Sequence, residues 1–192
     1  LPQLAFLDVL LGSQPALDEP TRVYQRLLAG DADEAIDLSV QQIDAAQGSV
    51  PQFYAATGLS VLRMAVGDHA RAATPHHRLR VVEGMEELLD ELTEQYPPPP
   101  PAATAQPVVA CIGGKWEVDQ LAARMLAHAL QWQGCPAQAR DGAAQHGPPA
   151  LEGVDVVCLV WLSPDPAAAA RHLCRRIKRH WPHARVVQAL LN

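Results

Sequence analysis

The stretch PVVACIGGKWEVDQLAARMLAHALQWQGCPAQAR, residues 107–140, decides the fold. It begins with an apolar run that ends in two glycines, continues with helical periodicity, and closes with a short apolar run after Gly134. Apolar runs that alternate with amphipathic helices are typical of parallel sheets covered on both faces. This stretch therefore predicts a strand, a helix over 116–133 and a second strand. The residues of that helix that we expect to face inward are Val118, Leu121, Ala122, Met125 and Ala129.

The remainder of the second half continues the same alternation. VDVVCLVWLS (154–163) predicts a buried strand, SPDPAAAARHLCRRIKRHWP (163–182) a helix, and ARVVQALL (184–191) a fourth strand. Ser163 is the expected N-cap of that helix, with proline in its first turn. Residues 107–192 are thus predicted to form a small doubly wound, Rossmann-like or flavodoxin-like sheet, which we expect to be truncated at its last strand and helix.

The first half, residues 1–96, has a helical pattern throughout. We expect four helices. The first starts near Asp18 or Thr21 and stops at Gly30, the second starts at 31 and stops at Gly48, and the third starts at 50 and stops at Gly67. The fourth starts at 76. Short connections favour a four-helix bundle of antiparallel neighbours. The fold class is therefore α/β with an N-terminal all-α part, a four-helix cap before the sheet. The fourth helix carries the clearest apolar stripe: Val81, Val82, Met85, Leu88, Leu89 and Leu92.

A proline-rich segment, residues 97–106, separates the halves. Five consecutive prolines favour polyproline II, so the segment is interpreted as a semi-rigid linker about which the halves can shift. The halves also differ in charge: residues 1–96 carry 15 acidic and 6 basic side chains, and residues 97–192 carry 6 and 9. The net charge of −6 disfavours general nucleic-acid binding.

Several protein classes find no support in the sequence. No apolar run approaches the ~18 residues of a membrane span, and no signal peptide is visible. Leu1 in place of Met indicates excision from a longer chain. The cysteines form no CxxC pair and no zinc-finger spacing, so we expect reduced thiols without a metal or redox role. His76 and His77 point to different faces of a helix, which favours a solvated surface over a metal site.

The candidate ligand cleft lies at the carboxyl ends of the strands, where open α/β sheets bind ligands. GGKW is neither a Walker A loop nor G-x-G-x-x-G. Glu117 and Asp119 already place two negative charges at the helix N-terminus, which favours capping and disfavours strong phosphate binding. These two carboxylates diverge on a helix, and Ser163 lacks a G-x-S-x-G elbow, so we expect no enzyme. The cleft residues are Gly113, Gly114, Lys115, Trp116, Glu117, Asp119, Trp161 and Ser163.

Trp116 and Trp161 fall at strand ends, on the same rim of the predicted sheet. Together they can line a shallow pocket or form the surface on which the helical cap or a partner sits, and docking is the favoured interpretation. A basic helix follows, with two meanings left open. In the first, the helix has an exposed face whose cations interact favourably with the helix dipole. In the second, the helix docks on the acidic bundle, on a protein partner or on anionic lipid. Its cations are Arg171, Arg175, Arg176, Lys178 and Arg179.

LLAGDADEAIDLSVQQI (27–43) resembles the opening of the helical cap of cobalamin-binding modules, as in methionine synthase and light- or cobalamin-sensing regulators. That family's D-x-H-x-x-G motif, aligned on Gly134, falls on Glu117, Asp119 and Ala122. The cobalt-ligating His is therefore missing and Ala replaces Gly. The resemblance implies the family's fold without cobalamin, so no cofactor is expected.

Three segments resemble the soluble tail of autoinducer-2 exporter (PerM-like) family transporters. They are FLDVLLGSQPAL (6–17), RVYQRLLAGDADEAIDL (22–38) and residues 155–187. This resemblance implies a non-catalytic regulatory or interaction domain on the cytoplasmic face of a bacterial inner membrane. Its implied partner is the membrane-spanning part of the same polypeptide. The alternative is a small-molecule sensor that binds a cobalamin- or nucleotide-like ligand between cap and sheet.

Overall fold

The computed structural model describes residues 17–70, 75–100, 106–141 and 151–191, without the side chains of residues 69 and 70. The apolar segment 1–16, part of the proline linker and most of the loop before the third strand lie outside the described residues. The predicted fold class is confirmed: an N-terminal helical part precedes an all-parallel, four-stranded sheet.

The helical part consists of α1 (Glu19–Ala29), α2 (Ala32–Ala45), α3 (Val50–Phe53), α4 (Leu59–Ala70) and α5 (Pro75–Gln95). Asp18 caps α1 by accepting a hydrogen bond from the Thr21 N–H at 3.1 Å. Gly30 ends α1 in the left-handed conformation at φ 79°, as predicted. The six residues of the predicted apolar stripe on α5 are all buried.

The third helix differs from the prediction at both its interior and its end. It does not stop at Gly67 but continues to Ala70, because glycine lowers helix propensity without forbidding helical backbone. Between α3 and α4 the chain forms a π-helical segment, Tyr54–Gly58. Such segments are rare and frequently occur at functional sites.

The second half contains β1 (Val109–Gly113), α6 (Glu117–Trp132), β2 (Ala137–Arg140), β3 (Val156–Trp161), α7 (Ala167–His180) and β4 (Arg185–Leu190). The strand order is β2-β1-β3-β4. The chain therefore moves outward from β1 in one direction to β2 and then in the other direction to β3 and β4. This reversal places the topological switch point between β1 and β3.

The two faces of the sheet pack against different parts of the chain. On one face, side chains such as Cys111 and Val160 share an apolar core with α6 and the helical part. On the other face, α7 packs on β1 and β3 through Ala170, Leu173 and Ile177, in a cluster that includes none of the described residues of the helical part. Docking of the basic helix on the acidic bundle, one of the alternatives that the sequence leaves open, is therefore wrong, because α7 lies on the far face.

The helical part and the sheet domain are joined by more than the proline segment. Their shared core contains buried residues of α1 to α5 together with residues of α6 and the central strands. Polar contacts cross the same boundary as well: among them, Arg124 pairs with Asp90 at 2.5 Å, and the Arg63 Nε donates to the Leu191 carbonyl at 3.1 Å. A shift about the linker would expose this apolar surface, so the packing opposes a free hinge.

Candidate functional site

The switch-point site comprises the turn after β1, the first residues of α6 and the turn after β3. Its central side chain is Asp119, which is fully buried. One carboxylate oxygen of Asp119 accepts the backbone N–H groups of Leu162 at 2.8 Å and Ser163 at 2.9 Å. The other accepts the Ser163 hydroxyl at 3.0 Å and, at 3.4 Å, the Trp116 N–H. The carboxylate thus joins the two loops that flank the switch point.

These contacts place a protein anion where an α/β domain of this topology offers an anion site. Backbone N–H groups and the positive end of a helix attract a negatively charged ligand group. Here the donors of the β3 turn and the N-terminus of α6 are directed to the Asp119 carboxylate. Asp119 therefore does more than the helix capping that the sequence predicts, since its main partners lie 43 and 44 residues further along the chain.

Gly113 and Gly114 serve internal packing at this site. A Cβ atom on Gly113 would lie 2.5 Å from backbone atoms of Asp119. A Cβ atom on Gly114 would overlap the Asp119 carboxylate and the Trp161 ring. The Gln120 amide donates to both glycine carbonyls, at 3.3 Å for Gly113 and 2.8 Å for Gly114. The glycines let α6 approach β1 closely. The backbone of α6 fills the space beside Gly113, and the side chains of Asp119 and Trp161 fill the space beside Gly114.

The remaining predicted cleft residues do not converge on one cavity. Lys115 and Glu117 are exposed, so Glu117 diverges from buried Asp119 as predicted. The predicted N-cap role of Ser163 is wrong: α7 begins at Ala167 after Pro166, and the Ser163 hydroxyl is bonded to Asp119 instead.

The prediction that Trp116 and Trp161 share one docking surface is also wrong. Trp116 is half-buried and packs against the core shared with the helical part. Trp161 is 2% exposed and belongs to the cluster on the far face. Its indole Nε1 has no hydrogen-bond partner among the described residues. Trp161 is therefore a packing residue of the α7 side and does not contribute to the surface that holds the cap.

The residues at this site do not fit cobalamin. Asp119, at the position of the family's cobalt-ligating His, is turned inward to the β3 loop with its oxygens fully engaged. Ala122 is buried in the core shared with the helical part. A carboxylate so engaged offers cobalt no ligand, and an imidazole nitrogen is the donor that the motif requires.

A second buried polar cluster, which the sequence did not reveal, joins the helical part to α6. In this interface site the Tyr54 hydroxyl and the His128 Nδ1 are 2.9 Å apart, and their rings meet edge to face at 5.8 Å between centroids. The His128 Nε2 lies 3.2 Å from both the Tyr96 carbonyl oxygen and the Trp132 Nε1. Only the mutual docking of the two halves brings these groups together, because Tyr54 and His128 are 74 residues apart.

The interface site favours a neutral imidazole. Burial lowers the pKa of His128 below its ordinary value of 6.5, although the Tyr96 carbonyl opposes this shift. Two neutral tautomers suit the geometry. Either Nε2–H donates to Tyr96 while Nδ1 accepts from Tyr54, or Nδ1–H donates to Tyr54 while Nε2 accepts from Trp132. Burial also raises the pKa of Tyr54, and the charge of Arg124 lowers it in part. This site therefore holds uncharged groups.

Beside the interface site lies an apolar pocket of about 180 Å³. The π-helical segment forms one wall through Tyr54 and Ala55, α6 forms another through Met125, and Leu191 closes one end. A Cβ atom on the neighbouring Gly58 would lie 2.6 Å from the Met125 Cε, the flexible end of that side chain. The pocket is smaller than the roughly 300–1,000 Å³ of most sites for drug-sized ligands.

No protein-family model matches the chain, and a search of curated proteins finds no significant match. The resemblance to transporter tails and cobalamin-binding modules therefore stays a prediction from sequence motifs. None of the described helices combines the length and apolar character that a membrane crossing requires. Within the same part of the chain, no three His, Cys, Asp or Glu side chains are grouped as metal ligands would be.

Proposed function

We propose that this chain is a non-catalytic regulatory or interaction domain of a multi-pass, transporter-like membrane protein, and that it acts on the cytoplasmic face of a bacterial inner membrane. The observation that carries the non-catalytic part is the Asp119 carboxylate, which takes the donors that a ligand would need at the switch point. The association with a membrane protein rests on the resemblance of residues 6–38 and 155–187 to transporter tails.

Such a domain would transmit a signal as a rigid unit. The shared apolar core, the Tyr54–His128 contact and the Arg124–Asp90 pair hold the helical part on the sheet. A partner that displaces the helical part would therefore move the sheet and α6 with it. This mode of action replaces the hinge that the proline segment suggests.

The reading frame that encodes the chain tests this proposal most cheaply. We expect several membrane spans upstream of Leu1 in the same frame, and a frame without them would contradict the assignment. A thermal-shift screen with nucleotides, flavins and cobalamins accompanies it. The expected result is no shift and no cobalamin absorbance on the purified chain, whereas a stoichiometric cobalamin spectrum would overturn the proposal.

A small-molecule sensor is the second candidate, and the apolar pocket beside Tyr54 favours it. At about 180 Å³ the pocket suits a compound of one aromatic ring, since an apolar cavity of ~150 Å³ accommodates benzene. It is too small for the cobalamin- or nucleotide-like ligand that the sequence suggested. The ligand of such a sensor would be small and apolar.

Indole provides a probe for the sensor. Under this candidate, indole raises the melting temperature of the chain with saturation, and Ala55→Leu, which fills the mouth of the pocket, abolishes the effect. Ala56→Leu is the matched control, because Ala56 is exposed on the same segment outside the pocket lining. The absence of a saturable shift, or equal loss in both variants, would exclude a site in this pocket.

A further inference from the structure

The outward face of α7 carries three arginines at a spacing of four residues. Arg171, Arg175 and Arg179 are exposed, and the residues that pack on the sheet occupy the opposite side of the helix. Positions four apart lie one turn above another on the same helix face. The three guanidinium groups therefore form a stripe roughly 12 Å long at 1.5 Å of rise per residue. Arg171, Arg175 and Arg179 together make up this arginine stripe.

The arginine stripe is not neutralised within the described residues. None of its members has an ion-pair or hydrogen-bond partner there, and α7 contains no Asp or Glu. Lys178 differs, because its Nζ donates to the Pro182 carbonyl at 3.4 Å and the Ala184 carbonyl at 2.7 Å.

The helix dipole does not account for the whole stripe. The dipole favours cations within the last turn, where Arg179 lies beside Lys178 and His180. Arg171 and Arg175 precede that turn, and like charges four residues apart destabilise a helix. The charges of Arg171 and Arg175 therefore do not stabilise the helix.

The acidic part of the molecule is turned away from this stripe. α7 packs on the far face of the sheet, and the helical part packs on the opposite face through α6. On α5 the exposed side includes Glu83, Glu87 and Glu94. The exposed carboxylates of α5 and the arginine stripe therefore lie on opposite sides of the sheet, which would orient α7 towards an anionic surface and these carboxylates away from it.

We propose that the arginine stripe docks on the anionic headgroups of a phospholipid bilayer. A protein partner would call for an apolar, often aromatic centre in the contact surface. The exposed large apolar residues among those described are Leu17, Leu79, Val187 and Leu190, and none belongs to α7. An anionic headgroup layer needs charge alone. A nucleic acid is disfavoured by the net charge of −6.

This inference rests on the proposed function in one respect, namely that the chain works beside a membrane. Vesicle binding by the isolated 192-residue chain measures the stripe alone. The reading-frame test measures the membrane protein alone, so failure of one is distinguishable from failure of the other.

The test is cosedimentation with phosphatidylcholine vesicles that contain or lack phosphatidylglycerol. We expect partitioning only onto the anionic vesicles and its loss in 1 M salt, where the Debye length is about 3 Å. Arg171→Gln with Arg175→Gln is expected to lower the partition coefficient about 30-fold, since each surface cation contributes roughly fivefold. The control pair, Arg22→Gln with Arg140→Gln, removes the same net charge outside the stripe. It is expected to lower the partition coefficient less than about twofold.

Four results would overturn the proposal. They are no partitioning of the wild-type chain, partitioning that survives 1 M salt, equal losses in the two variant pairs, and binding to neutral vesicles alone. Binding to single-stranded RNA or polyglutamate without binding to anionic vesicles would assign the stripe to a nucleic acid or an acidic protein instead. Unchanged far-ultraviolet circular dichroism in both pairs confirms that the comparison concerns folded chains.

Discussion

The switch-point site and the interface site bury polar groups in opposite ways. At the switch-point site a charged group, the Asp119 carboxylate, is buried among donors held by two loops. At the interface site a titratable group, the His128 imidazole, is buried among a hydroxyl, a carbonyl and an indole, and its pKa is lowered. Fixed donors replace water around a buried anion, whereas burial without such donors favours a neutral group.

This comparison also explains which of the two sites can still accept a ligand. The donors of the switch-point site are bonded to Asp119, and the space beside Gly114 is filled by the Asp119 carboxylate and the Trp161 ring. The interface site borders an apolar pocket of about 180 Å³. The conventional ligand position of the fold is thus closed, and the open volume lies at the junction of the two halves.

The largest expected effect follows from removal of the buried carboxylate. Asp119→Ala leaves three backbone N–H groups and the Ser163 hydroxyl without this acceptor, so the free energy of unfolding should fall by about 3–5 kcal/mol. Glu117→Ala, two residues earlier and exposed, should lower it by less than about 1 kcal/mol. Urea unfolding measures both, with the slope m unchanged. Equal losses would mean that Asp119 acts only through the helix dipole.

The next effect concerns the close approach of α6 to β1. Gly113→Ala places a Cβ against the Asp119 backbone, which cannot move aside as a side chain can, and should cost about 2 kcal/mol. Gly67→Ala has no atom within 4 Å of the new Cβ and lies in a helix, so it should gain about 0.5–1 kcal/mol. Thermal unfolding measures both variants, and the melting temperature should fall for Gly113→Ala and rise for Gly67→Ala. A neutral Gly113→Ala variant would show that the turn after β1 is loosely packed.

The smallest of these effects is the pH dependence that His128 contributes. Its folded-state pKa is lowered, so its contribution to stability is complete above the unfolded value of about 6.5. As the pH falls below 6.5 the unfolded chain binds the proton first, and stability is lost at up to about 1.4 kcal/mol per pH unit until the folded pKa is passed.

His128→Gln should remove this dependence while it keeps hydrogen-bonding capacity towards Tyr54. The measurement is the midpoint of urea unfolding at several pH values between 7.5 and 5. The wild-type midpoint should fall more steeply than that of the variant. Parallel curves would show that His128 is protonated equally in both states, contrary to its burial.

Periodicity predicted most of the fold, because helix stripes and apolar strands are local features. The buried stripe of α5 and the burial of β1 and β3 follow directly from the spacing of their apolar residues. Helix ends were less predictable. Gly67 does not end α4, and Ser163 does not begin α7, because Ser163 is engaged by Asp119. A capping rule considers only residues near the helix end, so it cannot predict that Asp119 of α6 accepts the Ser163 hydroxyl.

The candidate site was predictable only in its position. The glycine pair after an apolar run correctly indicates the turn between β1 and α6. The role of Asp119 depends on N–H groups 43 and 44 residues away, and that of His128 on Tyr54, 74 residues away. Trp161 faces α7 because of its position in the alternation of β3, and the sequence does not show which face the helical part will cover.

The most direct test of the central claim is chemical rescue of Asp119→Ala by formate. If Asp119 occupies an anion position, the variant retains the donors of that position, and formate should replace the deleted carboxylate. We expect formate to raise the free energy of unfolding of Asp119→Ala by roughly 1 kcal/mol at about five times its dissociation constant, relative to chloride at equal ionic strength. Wild type and Glu117→Ala should show no such difference. An equal effect of formate on all three proteins would contradict the account.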